Sequence, residues 1–340
     1  MSTPGNKPSG FVTPGEDPSA LTGTSPRRGG KKLLMVGLSC IDHIWQVGEF
    51  PPTGSRTHAS AYRTQGGGPA ATAAVTAARL GAGSNVEVEL WSIHGDDANG
   101  RQATAELEAF GVNCENVRVP PDSQTIVSGI LVAPDGERYI FPYFGSGLED
   151  SAEGLRASRV AEFDCVLTDA RHPLMTEAVL KEAKRQGVPI VGDFSNTRNW
   201  HLAKYVDYLI VSEECGREVL GTDDPEAASL AELRQAEGQL VGVTLGENGF
   251  VYEHAGEFRH IPAFPVNVVD TTGAGDVFHG AYAYAVANGW DVGRCGLFAS
   301  VTAALKCTAL GGRAGIPTAE EVEHLLVEKT AREMDELKWA

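Results

Sequence analysis

The chain of 340 residues is 42% hydrophobic and 21% charged, enough apolar content to bury a sizeable core. Its 45 acidic against 28 basic residues leave a formal charge of −17, which excludes duplex nucleic acid as a partner, because displacing counterions needs a basic face. A polyanionic ligand must instead be met locally, by helix N-termini, metal ions and a few arginines.

Residues 1–32 are rich in Ser, Thr, Pro and Gly and end in Arg27-Arg28-Gly29-Gly30-Lys31-Lys32. So little apolar surface cannot offset the entropy of ordering, and a disordered tail is expected there. Order is expected from the apolar strand that begins at Leu33. An Ala-rich helix follows over Pro69–Leu80, a strand over Val86–Ile93, and a helix over Ala98–Phe110 stopped by Gly111. Further strands are expected at Cys165–Thr168, Val188–Asp193, Tyr208–Val211 and Leu240–Thr244, with a helix at Leu174–Gln186 and a mostly helical C-terminal third. This alternation predicts a parallel sheet covered on both faces. Thr125–Val132 and Arg138–Phe144 flank Ala133-Pro134-Asp135-Gly136-Glu137, a hairpin turn signal. With the strand-like Thr57–Gln65 they suggest a small antiparallel sheet, a flap that shields a phosphoryl transfer from water and pairs with a second subunit through its outer face.

The six cysteines (Cys40, Cys114, Cys165, Cys215, Cys295 and Cys307) form no CxxC pair or metal cluster, which fits free thiols in a reducing compartment. No apolar run nears the ~20 residues that span a membrane, and no secretory signal is evident. A cytoplasmic location is expected.

The most informative segment is Val268-Val269-Asp270-Thr271-Thr272-Gly273-Ala274-Gly275-Asp276-Val277-Phe278. It reads as a strand end, a turn of small residues and the start of a helix reaching about Ala287. Gly273, Ala274 and Gly275 leave backbone N–H groups uncovered at the helix N-terminus, where an anion is best bound. Asp276 in the first helical turn stands where a hydroxyl's proton would be accepted. An isolated Asp there would serve as a cap or dipole partner, so the whole string carries the weight.

The seven residues Asp270–Asp276 resemble the catalytic signature of the ribokinase-like (PfkB) sugar kinase family. Gly66-Gly67-Gly68-Pro69-Ala70-Ala71-Thr72-Ala73-Ala74 resembles its second signature, and the likeness runs from about Leu33 to Leu326. It implies a three-layer αβα sandwich with a central, mostly parallel sheet and a small β-sheet lid. The kinase domain is then 33–328, with the lid drawn from about 43–65 and 123–146, and 329–340 is a C-terminal tail. The implied partners are a small sugar and ATP with Mg²⁺, in a homodimer joined through the lid. The resemblance makes Asp276 the base and Gly273, Ala274 and Gly275 the anion hole. Asp42, Gly67, Gly68 and Thr72 fall at sugar-binding positions, Thr72 where the family usually has Asn. Thr244, Gly246 and Gly249 match the nucleotide loop, with Ser212, Lys306, Cys307 and Gly312 also on the nucleotide side. Asp270 and Thr272 are candidates for a monovalent cation such as K⁺, as in several relatives. Where many relatives have Asn-x-x-Glu to help place Mg²⁺, Ser212-Glu213-Glu214-Cys215 stands here.

Two strings, GGGPAATAAV and ALKCTALGGRAGIP, look like the sulfofructose kinase branch, which phosphorylates 6-deoxy-6-sulfofructose at its 1-hydroxyl. Arg171, and after it Arg56 and Arg138, are candidates to grip the sulfonate, a task that suits the planar guanidinium fork. Pro142 stands where that branch has a polar amide. Rival expectations are a ketohexokinase or another sugar or phosphosugar kinase of the same fold, and a non-catalytic sugar or nucleotide sensor.

Overall fold

The computed structural model describes residues 30–133, 138–222 and 230–327. The tail expected at the N-terminus therefore lies almost wholly outside the described residues, as do 329–340 and the hairpin turn at 134–137. Among the described residues, thirteen strands and six α-helices run in chain order. They are β1 (Lys31–Val36), β2 (Cys40–Val47), β3 (Ala59–Gly67), α1 (Pro69–Leu80), β4 (Val86–Trp91), α2 (Ala98–Ala109), β5 (Val112–Asn113), β6 (Val127–Val132) and β7 (Arg138–Tyr143). After these come β8 (Cys165–Thr168), α3 (Pro173–Gln186), β9 (Ile190–Phe194), β10 (Tyr208–Ser212), α4 (Glu213–Leu220) and β11 (Leu240–Thr244). Last are β12 (Phe250–His254), β13 (Glu257–Ile261), α5 (Ala274–Ala287) and α6 (Val292–Lys306).

The main sheet has the order β13-β12-β11-β10-β9-β8-β1-β4-β5. Its strands pair in parallel except at β11–β12 and β12–β13. β1 shows why the sheet must be covered on both sides. Leu33 and Met35 pack into one core cluster with α1, α5 and α6, while Leu34 and Val36 pack into a second with α3 and α4. Alternate side chains point to opposite faces of a strand, so the continuous apolar run of β1 needs both layers. β1 begins two residues before the apolar run because its two lysines find partners, Lys31 with Asp164 at 3.2 Å and Lys32 with Glu87 at 2.7 Å.

β1 has β4 on one side and β8 on the other, so the chain reverses its direction of travel across the sheet between β1 and β8. Ligands in open α/β sheets bind outside the carboxyl ends of the strands at such a switch point. Asp169, just past β8, fastens it. Its carboxylate accepts from the amides of Leu38 at 2.8 Å, Ala70 at 3.1 Å and Arg171 at 2.9 Å.

The lid is a four-stranded sheet in the order β3-β2-β6-β7. The antiparallel flap expected from sequence is thus mixed, since β2 pairs with β6 in parallel. Its own core is only Ile44, Ile130 and Val132.

Candidate active site

Helix α5 opens at Gly273, whose φ of 72° is left-handed and whose Cβ, if present, would lie 3.2 Å from the carbonyl of Gly312. Glycine turns the chain there at little cost. A Cβ on Gly275 would meet nothing within 4 Å, so the helix end opens onto free space. The first-turn amides of a helix have no intrahelical acceptor, and the dipole gives that end positive potential. Gly273, Ala274 and Gly275, the expected anion hole, lie at this helix end.

Asp276 stands in this first turn, partly buried. Burial, then the charge of Asp193, push its carboxyl up to about 7, with smaller contributions from Asp169 and Asp42. Asp42 lies within β2 and pairs with Ser128 of β6. It accepts from the Cys40 thiol at 3.5 Å and from the Ser128 hydroxyl. Burial raises its carboxyl too, against the pull of Cys40 and Arg313. A Cβ on Gly67 would fall 2.2 Å from Asp42 Oδ2, and one on Gly68 would fall 2.5 Å from the Leu38 carbonyl. In this structure the glycines make room for Asp42 and the backbone beside the sugar position.

Three groups were missed from sequence. Arg313 is buried, donating to Glu106 at 3.0 Å, the Gly67 carbonyl at 3.0 Å and the Thr72 hydroxyl at 3.4 Å. Thr72 thereby faces this guanidinium, and the Gly-Gly-Arg string lies against the sugar-side glycines. A Cβ on Gly66 would sit 2.0 Å from Arg313 Nη1. Asp193, at the end of β9, is buried with its carboxyl raised by burial and by Asp169. His279, one turn along α5 from Asp276, has Nδ1 3.5 Å from Asp193 Oδ2 and donates from it to the Gly275 carbonyl at 2.7 Å. An Asp closing a predicted strand was the available signal for Asp193.

The strand ends beyond β8 gather the next set. Arg171 donates to Ser195 Oγ at 2.8 Å and makes no ion pair among the described residues, although its charge reaches Asp193. Ser212 Oγ caps α4 through the Cys215 amide at 3.2 Å, and Ser212 pairs in register with Thr244. Gly246 and Gly249 follow at φ 56° and 94°, forming the tight loop that leads into β12. Arg56 is exposed on the way into β3. Arg138, exposed on β7, is near enough to Lys306 and Cys307 for its charge to be felt by both.

Lys306 departs from the expected nucleotide role. Its side chain is fully buried and donates to the Asp270 carbonyl at 2.8 Å. Cys307 is also turned inward, its carbonyl accepting from Val269 at 2.8 Å and Asp270 at 3.2 Å. The Asp270 carboxylate accepts from the amides of Thr272 and Gly311, each at 2.8 Å. Of the two positions expected to hold a free monovalent cation, Asp270 is engaged by protein donors, while the Thr272 hydroxyl is buried without a hydrogen-bond partner among the described residues.

Mg²⁺ fits better. Asp193 Oδ2 is buried without a hydrogen-bond partner among the described residues, and the charge of Asp193 holds back the ionisation of Asp276. A divalent cation delivered with a nucleotide would relieve that repulsion. Glu213 is paired with Arg217 at 2.5 Å and Glu214 is exposed. Among the described residues no group of three His, Cys, Asp or Glu forms a metal cage.

A buried carboxylate in the first turn of a helix whose N-terminus is open, with a second buried carboxylate near enough for its charge to be felt, is an arrangement suited to phosphoryl transfer to a hydroxyl. The chain belongs to the pfkB family of carbohydrate kinases, whose model matches residues 31–319, and it is an ATP-dependent sugar kinase. It is 28% identical to the ribokinase of Haemophilus influenzae, covering 87% of this chain and 98% of that one. It is 30% identical to the ATP-dependent ribose-1-phosphate kinase of Halopiger xanaduensis, over 88% and 99%. Among solved structures, the ribokinase of Thermotoga maritima superposes with a TM-score of 0.72 at 28% identity, covering 87% of this chain and 99% of that one. The ribokinase of Arabidopsis thaliana, solved with ribose and ATP, shares the fold at a TM-score of 0.76 and 24% identity, over 88% and 99%.

Proposed function

We propose that the acceptor is a ketose with an anionic far end, 6-deoxy-6-sulfofructose, phosphorylated at its 1-hydroxyl. The observation that carries this reading is Arg171, a guanidinium held at the strand ends by Ser195 and free of any ion pair among the described residues. In a chain of charge −17, an arginine beside the site without a carboxylate partner suits an anionic ligand, which it can grip through parallel hydrogen bonds. Arg56 on the lid approach is the second cation offered, and Arg138, whose charge reaches the signature loop, is the third. Asp42 takes the sugar hydroxyls. Asp276 accepts the proton of the attacking hydroxyl while the α5 amides receive charge on the moving phosphoryl. Mg²⁺ would be held by the ATP phosphates with Asp193 facing it, and would neutralise phosphate charge.

The second reading is a ribokinase-type enzyme with a neutral sugar, supported by the names of the relatives. Turnover on a panel of sulfofructose, fructose, fructose 6-phosphate and ribose separates the two. A site built around Arg171 rejects fructose because its cation is left unpaired. Equal kcat/KM for fructose and sulfofructose would end the sulfonate reading and leave the kinase intact. Loss of turnover on sulfofructose in Arg171→Met, with ATP binding kept, would support it.

The lid bears on assembly, and the thiols support the expected location. Tyr62, Tyr139, Ile140, Phe141 and Tyr143 expose about half or more of their surface, above a lid core of three residues. A second copy of the chain pairing lid to lid would cover this patch; light scattering after size exclusion reads the mass. All six cysteines are free and buried, in keeping with a reducing cytoplasm.

A further inference from the structure

Lysine is the wrong residue for an apolar helix end unless something there needs a positive charge. Lys306, the last residue of α6, has no exposed surface, and burying an unpaired ammonium costs several kcal/mol. What it meets is the entry to the signature loop. Nζ donates to the Asp270 carbonyl at 2.8 Å, and the Asp270 carboxylate favours the charged form while burial opposes it, leaving the pKa lowered overall.

The surrounding bonds show what the ammonium is fixing. Val269 N and Asp270 N both donate to the Cys307 carbonyl, and Gly311 N donates to Asp270 Oδ2. Asp270 Oδ1 takes the amide of Thr272, immediately before Gly273, where the chain turns left-handed into α5. The segment 306–311 therefore clamps 269–272, and the anion hole is built on the end of that clamp. An ammonium bonded to the Asp270 carbonyl and within reach of the charge of its carboxylate sits among the kinds of oxygen a monovalent ion also seeks. Here the charge is covalently attached, with three donors.

We propose that the Lys306 ammonium is the resident monovalent cation of this kinase, so that the signature loop is ordered, and turnover proceeds, without K⁺. Lys306 is a positioning residue: it acts on the transferring phosphoryl through the loop that carries Gly273 and Asp276. The inference rests on those residues forming the phosphoryl-transfer centre and is independent of which sugar is the substrate.

The test uses the full-length protein in buffer whose only cation besides Mg²⁺ is tetramethylammonium. The wild type should keep its turnover and its Tm when KCl replaces tetramethylammonium chloride at equal ionic strength. Lys306→Met, which keeps length and removes charge, should lose about 10–100-fold in kcat, the usual cost of removing an outer partner of a reactive site. K⁺ or NH₄⁺ should restore that loss saturably and raise the variant's Tm over the same concentrations. Activation of the wild type by K⁺ of about fivefold or more, the lower end of ordinary coupling between sites, overturns the proposal. So does a folded Lys306→Met that works equally well without any small cation, or one that none restores. If the variant fails to fold, the wild-type comparison decides alone. If no sugar on the panel is turned over, the Tm titrations still read the cation site, so failure of the substrate reading is not mistaken for failure of this one.

Discussion

Replacing Asp276 by Asn keeps the shape of the side chain and removes its basicity. In the wild type the carboxyl is raised to about 7, chiefly by burial and then by Asp193. That places its ionisation near the working pH, where a general base is most effective. General-base catalysis is worth about 10²–10⁴-fold, or about 3–5 kcal/mol of barrier at 1.36 kcal/mol per tenfold. kcat should fall by that factor in steady-state assays, with the KM for ATP changed little because the α5 amides remain. Stability should move the other way. A carboxyl whose folded pKa lies above its unfolded value loses folding free energy as pH rises from about 4 to about 7. Neutral Asn at position 276 escapes that loss, so Tm at pH 7.5 should hold or rise. A variant within tenfold of wild-type kcat would show that Asp276 is not the base. A variant that lost both kcat and Tm would show that its role is structural.

Four further outcomes follow from the same geometry. Because Asp276 must be ionised to act, kcat/KM should fall as pH drops below about 7; Asp193→Asn removes the neighbouring charge and should shift that acid limb to lower pH in a pH–rate profile. Asp42→Ala should raise the sugar KM by about 10–100-fold, the equivalent of one charge-assisted hydrogen bond of about 1.5–3 kcal/mol, while ATP binding measured by calorimetry is kept. Arg313→Met breaks a partly buried ion pair at 3.0 Å and leaves the Gly67 carbonyl and Thr72 hydroxyl without their donor, so chemical denaturation should register a loss of about 1–3 kcal/mol. Gly273→Ala puts a Cβ at φ 72° and 3.2 Å from the Gly312 carbonyl. Strain of about 1–3 kcal/mol is expected, read as a lower Tm and weaker ATP binding together.

What the sequence revealed of this site divides by how far apart its parts lie along the chain. The catalytic turn was legible because everything it needs, small residues at a helix start and a carboxylate in the first turn, sits within Asp270–Asp276. Strands such as Cys165–Thr168 and Leu240–Thr244 were legible for a similar reason, since a buried parallel strand announces itself as a short apolar run. Asp42 follows the first strand as expected, but it lies inside a strand of the lid, β2. Its strand exists through pairing with β3 and with β6, the latter some 86 positions further on (Asp42 with Ser128), and no local pattern records that. The β12–β13 hairpin carried a signal that was passed over: Ala255 and Gly256 both sit at positive φ, the geometry of a tight hairpin turn that Gly favours. Arg313 and Lys306 were the hardest to read. Each looks locally like a polar residue in a small-residue segment, and only the folding of 306–313 across the signature loop decides that one neutralises charge beside Asp42 and the other beside Asp270. An acidic protein that binds a polyanion needs a few cations in fixed places. Here two of them are buried, so the composition that pointed to their necessity offered no means of choosing them.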